Sequence, residues 1–300
     1  MTKTTIGIPR GLFYEEYGYL WKCYLEKLGL NVKESIPTNK EIIRLGNSYA
    51  TSEMCFSLKI TLGHIAYLQN QVDYILLPRI DNFGIDNQTC TNFLVLYDLA
   101  KNIFSASFLS YNINELKKET EEKGFMKIGK QLGKKEEECK IAYQEAKEKE
   151  KERKRKKIKR NKNLLEKEKK KILLLSHPYN LYDPFLGEMV AKKVKKRGFS
   201  VLYSDAFEEE EMLKQSQNLS KNLYWYESRK NMGALMFLKN KIDGIIFLTT
   251  FPCGLDSLVN ELAMRKESFP YLNLIMDDSD AFAGMDTRIE SFLDILELQR

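Results

Sequence analysis

Three of the five cysteines in this chain stand where a strand-like segment gives way to a loop, in Ser52-Glu53-Met54-Cys55, Asn87-Gln88-Thr89-Cys90 and Phe251-Pro252-Cys253-Gly254. An α/β fold can bring thiols this far apart in sequence to one place, and such convergence is how a metal or iron–sulfur site is built. Cys23 and Cys139 read differently. The first lies inside the amphipathic helical pattern Tyr19 to Leu25, the second inside a highly charged helical segment, and neither has turn residues beside it. Both are assigned to packing, since a thiol behaves there as a small hydrophobe. Three thiolates suit two metals. A [4Fe–4S] cluster held by Cys55, Cys90 and Cys253 would keep one iron with an exchangeable position. Zinc would instead recruit His64 or His177, the two histidines of the chain, into a closed Cys₃His site. Each histidine also has a plainer use, His64 packed among apolar residues of a helix and His177 shaping the loop before one.

Other chemistries find no pattern to rest on. There is no Gly-x-x-x-x-Gly-Lys phosphate loop, no Gly-x-Gly-x-x-Gly after a strand, and no local signature of a serine or cysteine hydrolase. Gly7-Ile8-Pro9-Arg10-Gly11 is too short and too stiffened by proline to wrap a dinucleotide. An ATPase or a nicotinamide enzyme is excluded on these grounds.

At 300 residues and 43% hydrophobic, the chain can bury a sizeable core and fill two domains. Irregular cysteine spacing without any Cys-x-x-Cys pair points to a reducing compartment. The opening Met1 to Arg10 lacks a signal-peptide core, and no apolar run is long enough to span a bilayer, so the expectation is a soluble, cytoplasmic protein with no membrane partner. The 48 basic and 42 acidic side chains leave a formal charge of +6. Much of that excess lies between Lys151 and Lys171, mixed with glutamate, on a helix predicted from about Lys127 to Glu168. Leu132, Ile141, Ala142 and Ala146 give it only a thin apolar stripe, the pattern of a solvated connector or a docking helix. No aromatic residues interleave with the basic ones, so no nucleic-acid partner is expected.

The charged segment divides two halves that read alike. Thr5 to Pro9 predicts a strand, about Tyr17 to Leu28 a helix stopped by Gly29, and Leu30 to Lys33 a second strand. Lys171 to Ser176, about Pro184 to Arg197, Gly198, and Phe199 to Tyr203 repeat the order. Downstream, Val72 to Pro78 matches Ile242 to Leu248, each a short apolar run entered through an aspartate. Such runs are buried strands of parallel sheets with helices on both faces. The fold class is α/β: a Rossmann-like lobe over 1–125, a charged helical connector over 126–170, and a second Rossmann-like lobe over 171–300. In sheets of this kind, sites form in loops beyond the carboxyl ends of strands, where these cysteines fall.

Several segments taken together resemble the 2-hydroxyacyl-CoA dehydratase-related proteins, and most of all the domain associated with acyl-CoA dehydratase activases. They are Gly7 to Leu12, Tyr17 to Trp21, Pro37 to Ile42, Cys55 to Lys59 with Gly63-His64, and Val72 to Arg79. His177 to Leu186, Cys253 to Glu261 and Ala283 to Phe292 carry the resemblance through the second half. It implies an oxygen-sensitive [4Fe–4S] cluster held by Cys55, Cys90 and Cys253 between two α/β lobes. It also implies an electron delivered by an activator ATPase and dehydratase-type lyase or reductive chemistry on an acyl-CoA-type substrate. The activator's own ATPase motifs are absent, so the chain resembles the electron acceptor. Thr91-Asn92-Phe93 stands where Pro-Lys-Phe is expected after the second cysteine. Asp277-Asp278-Ser279-Asp280 replaces Asp-Glu-His-Thr, and Phe282 replaces an acidic residue. These departures spare the ligands and bear on the substrate. The contrasting reading is a non-catalytic accessory module, metal-free or zinc-bound, whose charged helix docks a partner.

Overall fold

A computed structural model describes residues 3–278 and 282–298 and divides the chain into two compact units, Met1–Arg153 and Lys154–Arg300. In the first unit the chain runs β1 (Thr5–Ile8), a π-helical turn Tyr14–Gly18, α1 (Tyr19–Lys27), β2 (Asn31–Glu34), α2 (Lys40–Tyr49) and α3 (Phe56–Leu68). It continues through β3 (Tyr74–Leu76), β4 (Arg79–Asn82), α4 (Thr91–Ile103), β5 (Phe108–Leu109), β6 (Asn112–Asn114), α5 (Glu121–Gln131) and α6 (Glu136–Leu165). The second unit follows with β7 (Lys171–Leu175), the single turn α7 (Pro178–Leu181), α8 (Gly187–Lys196), β8 (Ser200–Tyr203) and α9 (Glu209–Gln215). After these come α10 (Tyr226–Leu238), β9 (Gly244–Thr250), α11 (Gly254–Lys266), β10 (Tyr271–Met276) and α12 (Phe282–Leu298).

Each unit contains a four-stranded parallel sheet, ordered β2-β1-β3-β5 in the first and β8-β7-β9-β10 in the second. The second strand of each sheet lies on one side of the first strand and the third on the other, so the repeat legible in the element order is a repeat of topology. Two Rossmann-like sheets result. The central strands of the second sheet are largely apolar and buried, as expected where helices cover both faces: every residue of β9 is buried, and Ile172 to Leu175 in β7 likewise. Phe247, Leu173, Leu202, Leu235 and Leu238 anchor the core of the second unit. Gly29 and Gly198 end α1 and α8 at φ +76° and +90°, the left-handed conformation that lets a chain leave a helix without a Cβ clash.

Two features decide how the functional segments are placed. A Cβ on Gly46 would fall on the Lys59 carbonyl and one on Gly63 on the Ile42 carbonyl, so α2 and α3 cross in backbone contact. That crossing fixes where α3 begins. The charged segment, in turn, is not one helix from Lys127: α5 stops at Gln131, Gly133 turns the chain at φ +71°, and α6 starts at Glu136. Its buried face is Cys139, Ala142, Ala146 and Glu150, whereas Ile141 is 54% exposed. Small side chains at this spacing let α6 lie close on α5, where a Cβ on Gly129 would meet the Cys139 sulfur. Farther along, Asn161 is buried, donating to the carbonyls of Tyr203 (2.8 Å) and Ala206 (3.1 Å). The expectation of a purely solvated connector is therefore corrected: the lysine-rich faces are solvated, but the helix is anchored along its length by buried groups. No helix among the described residues is long and apolar enough to cross a membrane.

Candidate functional site

Cys55, Cys90 and Cys253 occupy the same local position: each is the N-cap of a helix, of α3, α4 and α11 respectively. All three have extended backbone, all are half-buried thiols, and none gives a side-chain capping bond. Their carbonyls accept the first helical bonds, from Leu58 N (2.9 Å), Phe93 N (2.9 Å) and Ser257 N (3.2 Å). A thiol is a weak acceptor and a poor cap, whereas an oxygen at this position is worth ~1 kcal/mol. The chain uses good caps elsewhere: Asn39 accepts from Glu41 N (2.9 Å) and Ile42 N (3.0 Å) before α2, and Thr120 caps α5. The caps of α7, α8, α9 and α10, which are His177, Leu186, Glu208 and Trp225, also give no side-chain bond, so what the three positions share is the thiol itself at a helix start. Cys23, half-buried inside α1, and Cys139, buried against α5, cap no helix.

In the first unit Asn92, two residues past Cys90, donates its side-chain amide to the Cys55 sulfur at 3.5 Å. The start of α4 is thereby brought to the start of α3, and the residue that departs from the expected Pro-Lys-Phe supplies the contact. The loop carrying Cys90 is held by β4 and β6, a two-stranded parallel sheet. Thr89 donates to the Ile80 carbonyl (2.6 Å), Asn114 donates to Asp81 (2.6 Å), and Arg79 grips Asp98 of α4 (2.8 Å) while lying over the Tyr97 ring. The paired Asp81-Asn82 was the available signal for this scaffold, since such side chains organise turns locally.

In the second unit the sheet changes direction of winding between β7 and β9, and the crevice beyond the carboxyl ends of those two strands is where such folds place ligands. His177 follows β7 there as the N-cap of α7, and Cys253 follows β9 as the N-cap of α11. Asp256, in the first turn of α11, meets His177 Nε2 at 2.8 Å, both side chains being buried. The imidazole stacks on Tyr179 with ring centres 5.0 Å apart. Around the pair lies a buried polar layer: Asn180 donates to Ser176 (3.1 Å), Ser204 to Asn231 (2.7 Å) and Asn260 to Thr249 (3.1 Å). Buried polar groups are costly unless satisfied, and a sheet edge with no ligand to serve could be filled with apolar side chains. Asp256 is the site residue to which the sequence reading assigned no role; its signal was the three-residue spacing from Cys253.

His64 is placed otherwise. It is wholly buried within α3, its Nε2 is 3.1 Å from the Thr38 hydroxyl, and burial together with the Arg10 charge lowers its pKa to about 3. It is a neutral core histidine, the plainer of the two uses the sequence offered. Ser279 and Asp280, two of the positions that depart from the expected motif, lie outside the described residues.

A family model described as the CoA enzyme activase uncharacterised domain matches residues 5–207. The chain belongs to that family. The match includes Cys55, Cys90 and His177, while Cys253 and Asp256 lie beyond it. Among curated proteins none matches the chain. Among solved structures, a sugar transporter from Clostridium phytofermentans is similar at 13% identity over 91% of this chain and 97% of that one. Its TM-score is 0.22, so the likeness carries no argument about fold or function.

Among the described residues, no three or more His, Cys, Asp or Glu side chains converge on a point where a single metal ion could sit. A cubane cluster makes a different demand, because it takes one donor at each iron and its donors stand apart. The donor chemistry of the three capping thiols suits such a group: a helix N-terminus directs N–H groups and a partial positive charge at whatever its first residue holds. A thiolate-ligated cluster is anionic.

Proposed function

We propose that this member of the CoA enzyme activase-related family is a [4Fe–4S] protein whose cluster is held by Cys55, Cys90 and Cys253. It would accept low-potential electrons from an activator ATPase for reductive or dehydratase-type chemistry on an acyl-CoA-type substrate. The observation that carries this reading is the shared placement of the three thiols, each the N-cap of a helix with extended backbone. A cluster bound there would supply one-electron chemistry at low potential. The protein's own part is electrostatic and positional. The N-termini of α3, α4 and α11 favour negative charge at the ligand sulfurs. The Asn92 amide steadies the Cys55 sulfur, and β4 and β6 hold the Cys90 loop in register. Thiols kept for metal binding suit a reducing, cytoplasmic setting.

Iron and acid-labile sulfide measured after anaerobic purification test the proposal. The expected result is brown protein with about four irons and four sulfides per chain. Colourless protein with stoichiometric zinc, or with no metal, would overturn it.

A further inference from the structure

We propose that the open edge of β10 docks a second copy of this chain, which joins it as an antiparallel strand about a two-fold axis through Asn273. β10 is the outer strand of the second sheet, with β9 as its one neighbour among the described residues. The Pro270 carbonyl accepts from Ile245 N (3.0 Å) and the Met276 carbonyl from Phe251 N (2.7 Å), so the even-numbered residues turn their backbone groups toward β9. By the alternation of a strand, Tyr271, Asn273 and Ile275 turn theirs outward. Such a row is a template for another strand unless a protein blunts it. The other edges of the two sheets are blunted. β2 carries Lys33 and Glu34, and β5 is two residues long. Along β8 the buried Asn161 side chain takes both the N–H (3.4 Å) and the carbonyl (2.8 Å) of Tyr203. β10 is six residues, Tyr271 to Met276, without a charge, a proline or a glycine, and Tyr271 and Ile275 are 45% and 49% exposed. Arg288 of α12 donates to the Asn273 carbonyl, which keeps a second lone pair for a strand N–H.

The occupant is a second copy because this edge is complementary to itself. Antiparallel pairing about Asn273 sets Tyr271 opposite the partner's Ile275 and Ile275 opposite the partner's Tyr271, and each outward residue exchanges both backbone groups with its opposite. Aromatic against β-branched is a favourable cross-strand pair, and the symmetry makes it twice. Asn273 meets its own counterpart at the axis, where two amides can donate to and accept from each other. Any slip of the register leaves one of the three outward residues without its opposite. A two-fold pairing of this kind closes on itself. The flanks of α12 fit the same reading. The reach of Arg288 to Asn273 fixes which flank faces the open edge, and Ile295, seven residues on and on the same stripe, is 53% exposed there. The opposite flank is charged and already engaged, Asp286 with Lys193 of α8 (2.6 Å) and Asp294 with Arg197 at its end (2.6 Å).

Light scattering on the full-length protein in a dilution series gives its mass, and hydrogen exchange on the same samples reads the edge. The expected result is a species of twice the 35.1 kDa chain mass in which the amides of Tyr271, Asn273 and Ile275 are protected. Those amides should exchange freely in the monomer reached by dilution or by Ile275→Lys. That substitution places a charge on the edge at an exposed position, so the variant should stay folded and monomeric at concentrations where the parent is a dimer. A parent that is monomeric at every concentration up to about 100 μM, where a Kd of ~10 μM already gives mostly dimer, overturns the proposal. So does a dimer in which these three amides exchange freely, since its interface then lies elsewhere. Both of those results come from the unmodified protein and decide the matter even if the variant does not fold.

Discussion

Acidification should destabilise the first unit through His64, and by an amount the structure sets. The unfolded chain protonates a histidine near pH 6.5, while burial and the Arg10 charge hold His64 neutral down to about 3 in the folded protein. Above pH 6.5 both states are neutral and this residue gives no pH dependence. As pH falls from 6.5 toward 3 the unfolded state alone takes up the proton, so stability falls by ~1.4 kcal/mol per pH unit. At pH 5 the loss relative to pH 7.5 is about 2 kcal/mol from this one group. Urea unfolding of the first unit, followed through Trp21 in a Trp225→Phe background, would measure it. His64→Gln, which can keep a bond to Thr38, should be less stable than the parent at pH 7.5 yet lose about 2 kcal/mol less on going to pH 5. NMR of the imidazole supplies the direct check: His64 should remain neutral at pH 5, where an ordinary histidine is almost fully charged. Arg10→Met should raise its protonation midpoint. If His64 titrates near 6.5 in the folded protein, or the variant and parent lose equal stability on acidification, the assignment of a desolvated core histidine is wrong.

Replacing Cys55, Cys90 or Cys253 by Ser should each remove most of the iron while stabilising the metal-free protein by roughly 0.5–1 kcal/mol, because serine caps a helix where a thiol does not. Cys23→Ser should leave iron content unchanged; loss of iron there in a folded protein would refute the ligand assignment. Gly46→Ala, normally favourable in a helix, should instead cost about 1–3 kcal/mol or more, since the new methyl falls on the Lys59 carbonyl across the α2–α3 crossing. A denaturation midpoint at or above the parent's would show that the crossing gives way. Asn161→Ala should destabilise the second unit by about 1–3 kcal/mol, because the Ala206 carbonyl and the Tyr203 N–H lose the Asn161 side chain, whereas the Tyr203 carbonyl keeps the Ala206 N–H. An effect below ~0.5 kcal/mol would return α6 to the status of a solvated connector.

The sequence alone determined the parts of this protein that depend on local rules. Short apolar runs closed by glycine gave the parallel strands and their helices, and the matching order in the two halves gave two sheets of one topology. The context of each cysteine separated Cys55, Cys90 and Cys253 from Cys23 and Cys139, because turn chemistry and helical periodicity are properties of neighbours in the chain. Tertiary structure decided what depends on neighbours in space. That β4 and β6 pair is invisible in two short polar segments thirty or so residues apart, since a strand with few apolar residues owes its existence to its partner. Nor could periodicity show that α6 buries Glu150, which pairs with Lys147 of the same helix, and Asn161, whose amide meets carbonyls more than forty residues away. The two histidines were equivalent in sequence and are opposite in the fold. His64 is stripped of water and kept neutral by burial and a nearby arginine, whereas His177 is held by a carboxylate that follows it by 79 residues and joins it only because β7 and β9 are adjacent.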